Sequence, residues 1–286
     1  MSGGLRIAIA SGKGGTGKTT IATSLARALI DQGTPCTLLD CDVEEPNCHI
    51  LLRMELEPLD EVSVLVPQVD EERCTRCGAC GRACRASAIV SLPTAVLTYP
   101  KLCHSCGGCA LACPHGAIRE VPRPIGTLDR GTSEGLELIQ GRLNIGEAMA
   151  PPLIRAALDA GRRAAQARTL LIDAPPGTSC PFVEAAGEAD VVALVTEPTP
   201  FGLNDLQLAV AALRTLEVPF GVVINRQRGT NDNAPCIIER YCRSESVPLL
   251  CAIDEDRTIA EATSRGILAL AAKPQLREGL LQLHRS

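Results

Sequence analysis

Aromatic side chains are nearly missing from this sequence: there is no Trp, and two Tyr and three Phe are the whole supply in 286 residues. Surfaces that stack on bases or sugars are hard to assemble from so few rings. No run of Lys and Arg appears either, and the formal net charge is −5. The broad positive footprint that nucleic acid requires is therefore lacking, and nucleic acid is not an expected partner. Long apolar runs are also absent. No segment approaches the ~20 residues needed to cross a bilayer, and Met1 to Leu5 places no charged stretch ahead of an apolar one. The expected location is the cytoplasm, without a stable membrane anchor. The four histidines are scattered and suggest no site.

Cysteine is what the sequence has in excess, with 15 residues. Without a secretory signal, that number fits metal ligation in a reducing compartment better than a disulfide scaffold. Otherwise the chain is ordinary for a globular protein, at 45% hydrophobic and 21% charged residues.

Short apolar runs alternate with segments of helical period. Leu5 to Ala10, Pro35 to Leu39, Val62 to Val66, Thr169 to Ile172, Val191 to Val195 and Phe220 to Ile224 read as strands. Helices are expected over Thr16 to Ile30 and Pro152 to Arg163. Such alternation predicts an α/β fold: a mostly parallel, doubly wound sheet covered on both faces. Between Pro67 and about Pro122 the composition turns abruptly to cysteine, glycine and arginine. The expected organisation is a first part over 1–66, a small inserted α+β module over 67–122, and the remainder over 123–286.

The insert repeats itself. Cys74, Cys77, Cys80 and Cys84 recur 29 residues later as Cys103, Cys106, Cys109 and Cys113, and Ala88-Ile89 recurs as Ala117-Ile118. Three cysteines spaced by two residues and a fourth after three more is the bacterial ferredoxin spacing, in which the fourth cysteine serves the other cluster. Cluster I would take Cys74, Cys77, Cys80 and Cys113, and cluster II would take Cys103, Cys106, Cys109 and Cys84, giving two [4Fe-4S] clusters. Zinc also takes four thiolates, but its sites usually pair cysteines at two separated places rather than stringing three together. One departure stands out: Cys113 is followed by Pro114, whereas Cys84 is followed by Arg85. That puts the local backbone and the redox level of cluster II in question.

Gly12-Lys13-Gly14-Gly15-Thr16-Gly17-Lys18-Thr19 completes a P-loop between a strand and a helix, with Thr20 just beyond. The glycines let backbone N–H groups turn towards phosphate oxygens, Lys18 reaches the β- and γ-phosphates, and the Thr19 hydroxyl ligates magnesium. ATP or ADP with Mg²⁺ is the expected ligand.

The extra lysine, Lys13, resembles that of the deviant-Walker-A ATPases of the MinD and ParA type, a group that includes the nitrogenase iron protein. The resemblance extends to Asp40-Cys41-Asp42, to Leu171 through Gly177, and to Val223-Ile224-Asn225-Arg226. It covers nearly all of the chain outside the insert. It implies that Lys13 crosses a homodimer interface to the partner's nucleotide, that Asp42 orients the attacking water, that Asp173 holds magnesium through its water shell, and that Asn225, with Arg226 beside it, contacts adenine. A loop carboxylate capping a helix is the plainer role for Asp42, and Asn225 has a structural alternative too. Cys180 lies seven residues after Asp173, the offset at which the nitrogenase iron protein places a ligand for a cluster shared across its dimer. Here it is a candidate interface ligand, while Cys36, Cys41, Cys48, Cys236, Cys242 and Cys251 are expected mostly as small buried apolar residues.

The combined expectation is an ATPase whose nucleotide-driven dimer switch serves electron transfer or metallocluster assembly and delivery. Its partner would be a redox protein or a metallocluster-accepting protein. The alternative is a positioning or partition ATPase whose clusters sense redox state. Lys273 to Ser286 carries Leu276, Leu280, Leu281 and Leu283 but few cations, and reads as a packed terminal helix rather than a membrane-binding one.

Overall fold

Continuous apolar runs along short strands need cover on both faces of a sheet, and the chain provides it. The computed structural model describes residues 4–227 and 235–285; Ser286, the last residue of the expected terminal helix, lies outside them. Eleven strands occur among the described residues: β1 (Arg6–Ala10), β2 (Cys36–Asp40), β3 (Glu57–Val69), β4 (Ile89–Ser91), β5 (Val96–Thr98), β6 (Ile118–Ser133), β7 (Leu136–Leu143), β8 (Thr169–Asp173), β9 (Val191–Thr196), β10 (Phe220–Gln227) and β11 (Leu249–Asp254). The helices are α1 (Lys18–Asp31), α2 (Cys48–Leu52), α3 (Ala79–Ala83), α4 (Gly108–Leu111), α5 (Ala150–Ala165), α6 (Cys180–Gly187), α7 (Pro200–Leu216), α8 (Ile237–Ser244), α9 (Arg257–Ser264), α10 (Ala269–Ala272) and α11 (Leu276–Arg285).

Nine strands form one sheet in the order β11-β10-β9-β1-β8-β2-β7-β6-β3. The seven from β11 to β7 are parallel, and β6 and β3 add an antiparallel edge. Side chains alternate between two cores. Ala8, Leu39, Ile172, Leu194 and Ile224 pack on one face with α5, α6 and α7, while Ile9, Leu38, Leu171, Val195 and Val223 pack on the other with α1 and α11. This two-sided burial is why the central strands read as continuous apolar runs.

Helix α1 starts at Lys18, two residues later than its periodicity suggests, because Gly17 is left-handed at φ +95° and breaks the turn. At the other terminus, α11 buries Leu280, Leu281 and Leu283 against α1 and β11. Arg277 is tied to Asp31 at 2.6 Å and Lys273 to Asp256 at 2.8 Å. The apolar face of the last helix is thus spent inside the fold. No described helix is long and apolar enough to cross a membrane.

The cysteine-rich segment hangs from the long ribbon of β3 and β6. Their pairing runs out to Val69↔Ile118, so residues 67–69 and 118–122 are ladder, not loop. Pro67 and Pro122 do not end the strands as their sequence suggests: Pro67 lies in β3, the edge strand of the sheet, where one side of the backbone needs no partner. Beyond the ribbon tip lie α3, α4 and the β4–β5 hairpin; Cys80 is in α3, Cys109 is in α4, and the other six cysteines of the repeat are in the loops around them.

Candidate nucleotide site and cysteine groups

The loop from Ser11 to Gly17 leaves β1 at the carboxyl edge of the parallel strands. Gly15 and Gly17 have φ of +77° and +95°, and a Cβ added at Gly14 or Gly15 would meet nothing within 4 Å. The inner face of the loop is therefore lined by backbone and open to a ligand. Gly17 is constrained further: a Cβ there would lie 2.4 Å from Nδ2 of Asn225, which donates to the Thr16 carbonyl at 2.7 Å. Gly17→Ala is expected to displace Asn225, strain the left-handed turn and weaken nucleotide binding by about tenfold or more, measurable by calorimetric titration with ATP.

Three carboxylates face the loop. Asp40 and Asp173 end adjacent strands in register, and both are buried. Asp40 accepts N–H groups of Asp42 (3.1 Å), Asn47 (3.0 Å) and Cys48 (3.0 Å), so it shapes the loop that carries Asp42. Asp173 accepts the Cys48 thiol at 3.5 Å through Oδ2, while its Oδ1 is buried with no partner. Burial pushes both carboxyls up, and at Asp173 the charge of Asp40 adds to the effect. Asp42 is pushed up to about 6 by burial and by Asp40, against the opposing pull of Lys18. Lys18 is buried, which lowers its pKa, with Asp173 and Asp42 pulling the other way. Three acids crowd one ammonium beside an unpartnered carboxylate oxygen, and their raised carboxyls register the cost of ionising them together without a further cation. That is the electrostatic setting of a divalent cation site.

Thr16 and Thr20 lie on either side of the Gly17–Lys18 step, and Thr20 lines a cavity of about 450 Å³ with Gly17, Asn225, Arg226 and Asp254. Lys13 does not join this group. Its Nζ sits 3.3 Å from Glu197 Oε2. Neither Asp40 nor Glu197 was singled out by its sequence context. The role of Asp40 depends on its register with Asp173, and Glu197 follows a strand with no motif around it.

In the cysteine segment the 29-residue repeat is also a repeat of conformation. Arg76 and Ser105 are left-handed at φ 58° and 53°, Gly78 and Gly107 at 77° and 70°, and Ser87 and Gly116 at 53° and 56°. The Ala88 N–H donates to Cys84 Sγ at 3.3 Å, and the Ala117 N–H donates to Cys113 Sγ at the same distance. Arg85 therefore leaves the local backbone as it is after Cys113-Pro114. Cys74, Cys77, Cys80 and Cys113 line one small cavity together, drawing one cysteine from the second repeat to three of the first. Burial pushes Cys80 up, with Cys74 and Cys113 adding to it; burial likewise pushes Cys109 up, with Cys103 and Cys106 adding. Cys84 and Cys103 both pack on the core that contains Val64 and Val66. Among the remaining cysteines, Cys36, Cys41, Cys48 and Cys242 are buried, Cys236 and Cys251 partly so, and Cys180 is exposed at the start of α6.

A strand-to-helix phosphate loop with paired acids at the ends of β8 and β2 invites comparison with known nucleotide-binding proteins. The family model described as the CobQ/CobB/MinD/ParA nucleotide binding domain matches residues 7–269. The chain belongs to this family. Among relatives, an uncharacterised protein of Methanocaldococcus jannaschii is 36% identical over 231 residues, 81% of each chain. An iron-sulfur cluster carrier protein of Methanococcus maripaludis is 27% identical over 225 residues, which is 77% of this chain and 59% of that protein. Among solved structures, septum site-determining protein MinD from Pyrococcus horikoshii, complexed with Mg-ADP, superposes with a TM-score of 0.59. The match covers 98% of this chain and 93% of that one at 22% identity, a likeness of fold. As a member of the family, the chain is an α/β nucleotide-binding protein with a large, mostly parallel sheet.

Proposed function

We propose that this chain hydrolyses ATP between two copies of itself and couples that cycle to electron transfer or to iron–sulfur cluster delivery, using two [4Fe-4S] clusters held at residues 74–113. The observation that carries the coupling is a continuous path from the Asp42 loop to the cysteines. The Leu143 N–H donates to the Val43 carbonyl at 2.8 Å, and the Asn144 N–H donates to the Ile125 carbonyl at 2.8 Å. Two residues further along β6, Arg123 pairs with the nearly buried Glu147 of the same loop. Cys41, Val43, Ile125 and Cys103 belong to one core. A change at Asp42 on nucleotide binding thus has packed contacts, not a flexible tether, between it and the cysteine module.

The backbone N–H groups of Gly12 to Thr19 and the Lys18 ammonium would hold the phosphates. Thr19 and the orphaned Oδ1 of Asp173 suit Mg²⁺, which supplies charge neutralisation to phosphoryl transfer. Asp42 would accept a hydrogen bond from the attacking water, Lys13 would serve the nucleotide of the second chain, and Asn225 and Arg226 border the space for the base. The cavity shared by Cys74, Cys77, Cys80 and Cys113, with N–H groups directed at Cys84, Cys103 and Cys113, fits the donor set of two clusters. Such clusters store and pass single electrons. Cys180, exposed at the start of α6, faces outward where a second chain could share a further cluster. A positioning ATPase anchored by its last helix is disfavoured, because the leucines of α11 are already buried.

The test pairs two measurements on anaerobically purified protein. Replacing Cys77 and Cys106 is expected to change the ATP hydrolysis rate by about fivefold or more, and ATP is expected to shift the cluster potential. Rates and potentials that ignore each other in both directions would end the coupling proposal.

A further inference from the structure

Arg123 combines burial, positive charge and donors without acceptors. It stands on β6 opposite Val64 of β3, two residues from the Val121↔Val66 pair, so these side chains share one face of the ribbon. Val64 and Val66 belong to the core that also holds Cys103, and Val121 and Cys84 pack against it. None of Cys74, Cys77, Cys80 and Cys113 is in that core; their cavity is lined by Val69 and Ile118 at the ribbon tip. The cysteines proposed for cluster II are therefore on the stretch of ribbon nearer to Arg123.

The Arg123 side chain is only 17% exposed, and it meets a carboxylate through one nitrogen. Nη1 donates to Oε2 of Glu147, while Nε and Nη2 are buried without a partner. Glu147 is enclosed more completely, at 3% exposure, and its Oε1 accepts the Ala148 and Met149 N–H groups at 3.1 and 3.3 Å. The hydrogen bond from Arg123 holds the Glu147 carboxyl below its usual range, so the pair is ionised. Buried guanidinium N–H groups are costly to leave unpaired. Cluster and cysteine sulfurs are acceptors, and a cation beside them favours the reduced form, which carries one more negative charge.

Glu147 lies in the loop after β7, which touches both the cysteine segment and the Asp42 loop. Its N–H donates to the Asn144 carbonyl at 3.0 Å, and Asn144 is tied to Ile125 on β6. A Cβ added at Gly146 would lie 3.6 Å from Nζ of Lys101, two residues before Cys103. On the nucleotide side Leu143 is bonded to Val43, and a Cβ at Gly141 would come within 2.7 Å of Val43 Cγ1. A displacement of Val43 is thus passed to the residues that hold Glu147.

We infer that the buried Arg123–Glu147 pair sets the reduction potential of the cluster at Cys84, Cys103, Cys106 and Cys109, and that nucleotide at the Asp42 loop changes this potential by shifting Glu147 against Arg123. Arg123 supplies positive charge and N–H donors, and Glu147 offsets the charge. This role rests on the proposed pair of clusters and on their coupling to ATP.

The test is a redox titration followed by electron paramagnetic resonance on the anaerobically purified full chain, with the cluster II signal identified in chains that lack cluster I through Cys74→Ser and Cys113→Ser. Glu147→Gln frees the cation. It is expected to increase the reduced-to-oxidised ratio of cluster II about tenfold at a fixed poise, a rise of about 59 mV for one electron. Arg123→Gln is expected to lower the ratio by a similar factor, and Arg123→Lys, which keeps the charge, to return part of the loss. Cluster I is expected not to move in any of them. Mg²⁺-ATP is expected to shift cluster II in the wild type but not in Arg123→Gln or Glu147→Gln. Should one buried charge without its partner prevent loading, the double variant Arg123→Gln, Glu147→Gln removes both. It is expected to hold about eight irons per chain and to be blind to ATP. Cluster II potentials equal to the wild type in fully loaded variants, or equal shifts at both clusters, overturn this role. So does an ATP shift that persists in the double variant. If ATP moves neither cluster in the wild type, the proposed coupling itself fails, and if the wild type holds no iron, the clusters fail; a wrong assignment of the pair alone produces neither result.

Discussion

Asp173→Asn is expected to lower Mg²⁺-dependent ATP hydrolysis at least about a hundredfold while making the metal-free chain more resistant to heat above neutral pH. The two effects have one cause. Burial, together with the charge of Asp40 across the strand pair, raises the Asp173 carboxyl above the ordinary range of about 3.9. Between that ordinary value and the raised one, the folded chain retains a proton that the unfolded chain has released. Stability therefore falls as pH rises through the interval. Asparagine has nothing to titrate, so the variant escapes the loss and its advantage grows with pH. The amide also keeps an oxygen for the Cys48 thiol, so it does not simply open a hole. Magnesium and ATP reverse the order, because a ligand that binds only the folded wild type stabilises it by mass action. Thermal melts at pH 6 and pH 8.5, each with and without Mg²⁺-ATP, check all four conditions. A variant that melts below the wild type in every one of them would mean that Asp173 is structural.

This inversion illustrates what local sequence can carry and what it cannot. The phosphate loop was legible because every part of its chemistry lies within Gly12 to Thr19, and because a strand and a helix of clear period flank it. The parallel strands were legible for the same reason: burial on both faces writes itself as an apolar run. Asp40 could not be ranked against Asp42 from the Asp40-Cys41-Asp42 stretch, since its burial and its neighbour Asp173 are set by pairing of β2 with β8. Glu197 gave no local signal, because its partners Lys13 and Arg226 come from two other strand ends. The β3–β6 ribbon was half legible. Val62 to Val66 is mostly apolar, but Glu57 to Glu61 and Arg119 to Arg123 mix charged residues with proline, leucine and valine on an exposed edge pair, and Pro67 and Pro122 look like breaks where the edge tolerates them.

In the cysteine segment the repeat was legible, and the way its two halves combine is the sharper question. Wild-type protein purified without oxygen is expected to carry about eight irons per chain. If the fourth cysteine of each repeat serves the other cluster, then Cys74→Ser combined with Cys113→Ser strikes one cluster twice and leaves the other untouched. The expected product holds about four irons and one unaltered electron paramagnetic resonance signal. Cys74→Ser combined with Cys84→Ser strikes each cluster once, and both signals are expected to change. If each repeat kept its own four cysteines, the two double variants would exchange behaviours. The cavity lined by Cys74, Cys77, Cys80 and Cys113 favours the crossed arrangement. The backbone around Cys84 and Cys113 matches, each sulfur accepting an N–H from four residues ahead, Ala88 or Ala117, so the two fourth cysteines are held alike. Crossing also has a mechanical consequence. Each cluster would then tie the two repeats together, so losing either one would loosen α3 against α4. Hydrogen exchange over residues 74–113 is expected to rise in both double variants, and to rise more where both clusters are struck.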